Sequence, residues 1–421
     1  MLKNEIKVRN TDYLRYNNSM KKPFNVLHTS DWHLGKMLYN QRRDEEFSQF
    51  LDFLLLKLKE EEINLLLISG DIFDTTTPSN ASLALYHGFL AKAQLIVDNI
   101  VIIAGNHDSP SLLASSKEIL NYLNIYVITS ANTDNEILLL KNKRNEVVCC
   151  VVAVPFLRER DLRLIDESEH LEDREENFAK AIETHFNLLD KKVEEMHLGS
   201  IPVIGMAHLF AAGSAVVEND GVSRLRVGTL SQIEATKLLH SVSYMALGHI
   251  HVPQTVNKVD SIRYSGSPLA MGFGECKDTK SVIKLSYVED KLDNLTVLPI
   301  PQFVNMRQIK GSLAEILKQG EELENKKVYL EVVYTGTKRV ETLNTEVEAV
   351  LKDKTEVNLL AIKAPNIVYE NAILESDTAL DKLDVTDVFK LRLKDSAFEE
   401  AEKKSLEEAF ESVLNSLEIE E

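Results

Sequence analysis

Leu65-Leu66-Leu67-Ile68-Ser69-Gly70-Asp71-Ile72-Phe73-Asp74 is an aliphatic run that breaks at a glycine and a carboxylate. Four apolar residues without polar alternation read as a strand covered on both faces, and the Ser-Gly-Asp after them reads as a turn. The arrangement recurs along the chain. Phe24–Leu27 leads to Asp31-Trp32-His33, and Ile100–Ala104 to Gly105-Asn106-His107-Asp108. Val203–Ala207 leads to His208, and Tyr244–Leu247 to Gly248-His249-Ile250-His251. Amphipathic stretches at helical spacing, such as Glu45–Glu61 and Ser79–Ala93, lie between the runs. Strands alternating with helices predict a layered α/β domain. Loops that follow such strands collect at the carboxyl edge of the sheet, so these polar clusters are expected to form one site.

The pattern changes near Leu292. Val304–Lys310, Lys327–Tyr334 and Val357–Lys363 read as strands, with helices at Leu313–Glu322 and Glu341–Asp353. The expected organisation is a tail (1–22), a main α/β domain (23–290), a small α+β domain (291–375) and a helical end (376–421). Arg158–Glu195 reads as a charged connecting helix. In the last segment Leu406, Ala409, Phe410, Val413, Leu414 and Leu417 give one apolar face. That face fits packing on its own chain or docking on a partner.

Composition narrows the class. A chain of 421 residues, 44% apolar and 27% charged, fits an ordinary globular protein of two or three domains. No apolar run approaches the roughly 18–20 residues that span a bilayer, so no membrane association is expected. Met1–Lys22 is polar and basic without an apolar centre, unlike a secretory leader, and Met20 is an alternative start. Three cysteines, two of them the adjacent Cys149 and Cys150, suggest neither disulfides nor a zinc framework, which fits a reducing cytoplasm. The net charge of −18 opposes nucleic-acid binding. Much of it falls in Glu167–Glu195 and Glu399–Glu421, away from the clusters, and bound cations or a partner subunit offset it further.

The clusters supply hard oxygen and imidazole donors. Asp31 and His33 are two apart, so in extended backbone both leave on one side and reach one ion; His249 and His251 share that spacing. Gly70, Gly105 and Gly248 each precede a candidate ligand and let backbone bend closely. Singly, each cluster has an ordinary reading as surface polarity, a turn or a satisfied core histidine. Together, at the ends of separate strands, they point to metal. Mixed carboxylate, amide and imidazole donors suit manganese, iron or zinc better than calcium.

These motifs resemble the calcineurin-like metallophosphoesterase superfamily. The flanks His28-Thr29-Ser30-Asp31-Trp32-His33-Leu34-Gly35-Lys36, Gly70–Asp74, Val154-Pro155-Phe156-Leu157-Arg158, Ala207–Leu209, Val227-Gly228-Thr229 and Tyr264-Ser265-Gly266-Ser267-Pro268 look like its SbcD branch. That branch comprises the nuclease subunits of double-strand-break repair complexes. The resemblance implies a layered β-sandwich flanked by helices, with a smaller α+β capping domain and a C-terminal helical segment. It implies one ion on Asp31, His33 and His251 and another on Asn106, His208 and His249, with Asp71 bridging; both would be Mn2+. His107 would stabilise the pentavalent phosphorus or protonate the leaving oxygen. Asp108 would orient His107 or hold a turn. The implied partners are DNA and an SbcC-type ATPase with a coiled coil, bound by a homodimer within a heterotetramer. The implied activities are 3′ to 5′ duplex exonuclease and single-strand or hairpin endonuclease. Two other readings stay open: a phosphoesterase acting on nucleotides or phosphoproteins, and a non-catalytic scaffold for the ATPase. Trp32 stacks on a base or packs in the core; Lys36, Arg42 and Arg43 contact phosphates or lie solvated. His28, His87 and Ser265–Pro268 read as supporting or surface residues.

Overall fold

The aliphatic residues Leu65–Ile68 divide between two apolar layers, and that division sets the architecture. The computed structural model describes residues 22–162, 171–212, 214, 233–337, 340, 342–365 and positions 389, 393, 403, 406 and 410. Residues 1–21, the motif Val227–Thr229 and most of the C-terminal helical segment therefore lie outside the described residues.

In chain order the main domain runs β1 (Phe24–Thr29), α1 (Asp44–Glu60), β2 (Leu65–Ser69), α2 (Asn80–Ala93) and β3 (Asn99–Ile103). It continues with α3 (Pro110–Ala114), α4 (Lys117–Asn121), β4 (Ile125–Ile128), β5 (Ile137–Lys141), β6 (Val147–Val154) and α5 (Leu171–Glu195). Then come β7 (Val203–His208), β8 (Ala211–Ala212), β9 (Ile233–Glu234), β10 (Tyr244–Gly248), β11 (Gln254–Val256), β12 (Val259–Tyr264), β13 (Ser281–Val288) and β14 (Lys291–Pro299). Two six-stranded sheets result, ordered β14-β13-β1-β2-β3-β4 and β11-β12-β10-β7-β6-β5. The strands bearing the clusters run parallel, β1 with β2 and β2 with β3 in one sheet, β7 with β10 in the other. Their carboxyl ends therefore share an edge.

Alternation along each strand builds the layers. Val26, Leu65, Leu67, Val101 and Ile103 meet Val151, Ala153, Ile204, Met206 and Tyr244 in the apolar layer that joins the sheets. The opposite faces, Leu66, Ile68, Ile100 and Ile102, pack under Phe47, Phe50, Leu54 and Leu58 of α1 and Phe89 and Leu90 of α2. Helix α5 covers the outer face of the second sheet with Ile182, Phe186, Leu189 and Val193. Cys149 and Cys150 lie buried in β6 as free thiols. Among the described residues no helix is long and apolar enough to cross a membrane.

One boundary moves. Lys291–Pro299, expected to open the small domain, pairs antiparallel with β13 along its whole length and completes the first sheet. The small sheet starts at β15 (Asn305–Gly311) and adds β16 (Val328–Tyr334) and β17 (Val357–Lys363), all parallel. Its crossover helices are α6 (Leu313–Glu321) and α7 (Leu343–Leu351). A separate compact unit comprises Thr335–Val340 and Ala364–Glu421. Within it Leu393 is buried, and the Phe389 and Phe410 rings stack 3.9 Å apart.

His28, central in β1, is fully buried, with Nδ1 3.0 Å from the Tyr244 hydroxyl. Burial, aided by Arg263, lowers its pKa from the ordinary 6.5 to about 3. The unfolded chain therefore takes up a proton below 6.5 that the folded chain refuses until about 3, and stability falls as pH falls through that window. His28→Asn keeps a polar atom for Tyr244 and removes the titration. Urea midpoints measured from about pH 7 to about pH 4 should fall less in this variant, by on the order of 3 kcal/mol in unfolding free energy. Parallel pH profiles for the two proteins would exclude His28 as the source.

Candidate metal centre

The loops after β1 and β2 interlock backbone to backbone. Asp31 N–H donates to Gly70 O at 3.0 Å, His33 N–H to Asp71 O at 3.0 Å, and Leu34 N–H to Ile72 O at 2.9 Å. Side chains continue the lacing. Asp31 Oδ1 accepts from His249 N–H and Asp71 Oδ1 from His107 N–H, both at 2.9 Å. Glycine is required where these loops cross. A Cβ on Gly105 would lie 2.1 Å from Asp71 Oδ1, and one on Gly248 would lie 1.8 Å from Ser69 O.

Backbone conformation differs from the sequence expectation. Asp31, His33 and Asp71 have φ of 52°, 47° and 50°, and His249 has 105°. Positive φ is unfavourable for such residues, and the lacing holds them there. Asp31 and His33 do converge, but through left-handed turns rather than an extended strand. His249 and His251 part company despite their identical spacing. Asp31, His33 and His251 form one group of donor atoms within 4.8 Å of one another, and Asp71, His208 and His249 form a second. Asn106 Oδ1 joins the second group, 2.9 Å from His249 Nδ1 and 3.1 Å from His208 Nε2. Asp71 Oδ2 faces both groups, 3.5 Å from His33 Nε2 and 3.4 Å from His208 Nε2.

These residues fit divalent cations. Asp31, His33, Asp71, His208, His249 and His251 are all buried, so little water compensates their charge. Burial pushes the Asp31 carboxyl up, against the pull of His208 and His251. Burial acts on Asp71 too, but His208 and His33 outweigh it and hold that carboxyl well below the usual range. His208 rises to about 9, burial notwithstanding, because Asp71 lies against it, and burial beside His208 lowers His249 to about 3. Protein charges alone thus leave the acids and imidazoles unequally protonated. His208 Nδ1 lies 2.9 Å from Ser69 O, a pure acceptor, so that nitrogen carries hydrogen and Nε2 is the ring atom left to face the site. His33 Nε2 and His251 Nε2 are 3.1 Å apart. Two nitrogens about 2.1 Å from one ion stand about 3.0–3.4 Å apart between right-angled and tetrahedral geometry, so this separation suits a shared cation.

A family model of the calcineurin-like phosphoesterases covers residues 24–253. The chain belongs to this family. The phosphoesterase is accordingly a metal-dependent hydrolase. A further model, described as the type 5 capsule protein repressor C-terminal domain, covers residues 302–397. The phosphoesterase is 29% identical over 398 residues to the D-type subunit of nuclease SbcCD from Escherichia coli (strain K12), spanning 93% of this chain and 98% of that protein. The protein of the same name from Escherichia coli O157:H7 shows the same identity and coverage.

His107 is half-buried beside the first group, its ring 4.9 Å from that of His33. Of the two roles open to Asp108, orienting His107 or holding a turn, its hydrogen bonds favour the second. Its Oδ2 accepts from Gly105 N–H at 2.8 Å and Ile72 N–H at 3.2 Å, and its Oδ1 accepts from Phe73 N–H at 3.0 Å. Both oxygens therefore clamp the β2 and β3 loops together. The acceptor for His107 Nδ1 is the Asp74 carbonyl, at 2.9 Å.

Two residues that the motifs did not single out stand behind the site. Asp74 Oδ1 lies 3.4 Å from His33 Nδ1 and 3.1 Å from Lys36 Nζ, so Lys36 is held inward by an ion pair. Glu275, fully buried, faces His251 Nδ1. Asp74 was visible in the Gly-Asp-Ile-Phe-Asp run; Glu275 carried no sequence signal. Trp32 is core, packed edge-on to Phe50 and Phe89, with its indole N–H on Thr29 Oγ1. Arg43 is buried against Glu46 and Ala270 O, while Arg42 pairs with Asp44 at the surface. His87 is exposed. Ser265 Oγ contacts Ser30 Oγ, which donates to Asp31 Oδ2 at 2.5 Å.

Asp108→Asn tests the clamp. Its amide nitrogen would face backbone donors, leaving a buried N–H unpaired at a cost of about 1–3 kcal/mol. Thermal unfolding of chelator-treated protein should reveal that loss. An unchanged midpoint together with reduced turnover would return Asp108 to the orienting role.

Proposed function

We propose that the chain is a two-manganese DNA nuclease, the D-type subunit of an SbcC–SbcD-type complex. The observation that carries this reading is the placement of Asp71, whose Oδ2 faces His33 Nε2 and His208 Nε2 from one buried position. That is where a bridging carboxylate belongs between an ion on Asp31, His33 and His251 and another on Asn106, His208 and His249. Likeness to a nuclease subunit over nearly its whole length, with the second family model at residues 302–397, favours DNA over nucleotides or phosphoproteins.

Two divalent ions, when bound, polarise a phosphodiester and ease deprotonation of the attacking water. The protein's own groups orient and move protons. Ser30 holds Asp31, Ser69 O fixes His208, and Asp71 is held in the ionised form by its imidazole neighbours. The Asp74 carbonyl accepts from His107 Nδ1–H, which leaves Nε2 to bear the proton delivered to the leaving oxygen. By family resemblance the chain would degrade duplex ends 3′ to 5′ and open hairpins and single strands. It would act in the cytoplasm, as a homodimer with a coiled-coil ATPase, in end processing for repair and recombination. The partner would supply most phosphate contacts, which reconciles the reaction with the charge of −18.

His107→Ala should retain two manganese ions per chain and lose about 10²–10⁴ in turnover on a hairpin substrate. Metal analysis beside the nuclease assay reads both, and loss of manganese would overturn the role given to His107. A nucleotide panel run in parallel separates the DNA reading from its rival. Deletion of the residues after Ser396 should abolish co-purification with the ATPase subunit and leave hairpin cleavage by the isolated chain intact. Retained binding would remove the docking role from that segment.

A further inference from the structure

Behind His251 the structure buries a carboxylate and an ammonium together. Glu275 ends the 3-10 turn Phe273–Glu275, and Lys280 follows five residues later. The pair is in contact, with side chains 0% and 7% exposed. Taking both charges out of water is costly, and a buried pair replaced by apolar groups is often no less stable. Stability alone is a weak reason for it to be there.

The hydrogen bonds show an asymmetry. Lys280 Nζ has three donors and uses all of them, on Glu275 Oε2, on His251 O at 3.0 Å and on Ser267 Oγ at 3.1 Å. Glu275 Oε2 also accepts from Met271 N–H at 3.2 Å. Glu275 Oε1 has no hydrogen-bond partner, although it is buried. It lies 3.7 Å from His251 Nδ1. A carboxylate held for structure alone would have both oxygens satisfied; this one keeps an oxygen turned to an imidazole whose other nitrogen faces the site. Phe273, on the same turn, packs with Leu38, Val304 and Tyr329 and so anchors the turn from its far side.

We propose that Glu275 is the positioning residue for His251: it accepts Nδ1–H, fixes the tautomer with Nε2 unprotonated, and raises the ligand strength of Nε2. Lys280 is the bracket, gripping both the carboxylate and the backbone carbonyl of the histidine it orients. The inference rests on the reading of His251 as an ion ligand. Partners of this kind typically change metal affinity about 10- to 100-fold.

Manganese titration of chelator-treated full-length protein, read by calorimetry and by the electron-paramagnetic signal of unbound Mn2+, tests it. Wild type should bind two ions. Glu275→Gln should weaken one of them by about 10- to 100-fold and leave the other unchanged. Because that change strands Lys280, the double variant Glu275→Gln/Lys280→Met is the control for folding. It should recover the thermal midpoint of the metal-free protein without recovering the weakened site, whereas a purely structural pair would recover both. His251→Ala separates the two levels of inference. If His251→Ala loses one ion while both Glu275 variants bind two with wild-type affinity, the positioning role is wrong and the ligand reading stands. If His251→Ala also binds two ions as wild type does, the ligand reading itself fails.

Discussion

Asp71 places a carboxylate in dry protein between two sets of imidazoles, and the surrounding loops are built to tolerate that charge. Its Oδ1 takes the His107 backbone N–H, and its Oδ2 faces His33 and His208. Asp31, nearby and also buried, is driven toward its neutral form by the same burial that Asp71 escapes through its neighbours. Two buried acids with opposite tendencies are an electrostatic demand for positive charge, and imidazoles meet it only in part. The demand makes sense of the strained φ at Asp31, His33, Asp71 and His249, since relaxing any of them would turn a donor away from the shared centre.

The sheets exist, from this viewpoint, to bring those loops to one edge. Aliphatic strands buried on both faces leave no freedom of register, because a one-residue slip would exchange the inter-sheet layer for the helix-covered layer. Leu65 and Leu67 go one way and Leu66 and Ile68 the other, and β1 and β3 divide likewise. Parallel order then fixes where each strand stops. Glycine at 105 and 248 lets the stops touch: any side chain there would enter Asp71 or the Ser69 carbonyl. Packing thus sets the site to within a loop's reach, and hydrogen bonds such as the Asp108 clamp set it to the ångström.

This hierarchy explains what was legible in the sequence. The buried parallel strands announced themselves as aliphatic runs, and the polar clusters at their ends followed. The antiparallel strands β13 and β14 did not: β14 is half-exposed and mixed in polarity, so its pairing with β13 is a tertiary fact, and the domain boundary fell too early. The parting of His249 and His251 was implied by the family resemblance and not by their spacing. Spacing of two implies a shared side only in extended backbone, and φ of 105° at His249 breaks that premise. The choice between the two roles open to Asp108, orienting His107 or holding a turn, was hidden for a related reason. Its neighbour in sequence is His107, but its partners in space are the N–H groups of Gly105, Ile72 and Phe73. Glu275 was invisible because a carboxylate behind a histidine is defined by what it faces.

The small sheet reaches the same loops through the segment that follows Asp31 and His33. Tyr39 donates to Glu331 Oε1 at 2.5 Å, Glu331 pairs with Lys363 at 2.7 Å, and Asn358 donates to Gln41 Oε1 at 2.8 Å. Leu38 packs with Phe273, Val304 and Tyr329 in one apolar cluster. Segment 38–41, a few residues after His33, therefore contacts the small sheet and Phe273, and Phe273 leads directly into Glu275. Glu331 is nearly fully buried, and a buried carboxylate is tolerated only while its partners stay in place. Gln308 and Lys363 belong to the same sheet as Glu331, so displacing that sheet would strip Glu331 of Tyr39 alone. The seating of that sheet and the shape of the loop after His33 are consequently a single packing problem, solved by the same handful of side chains.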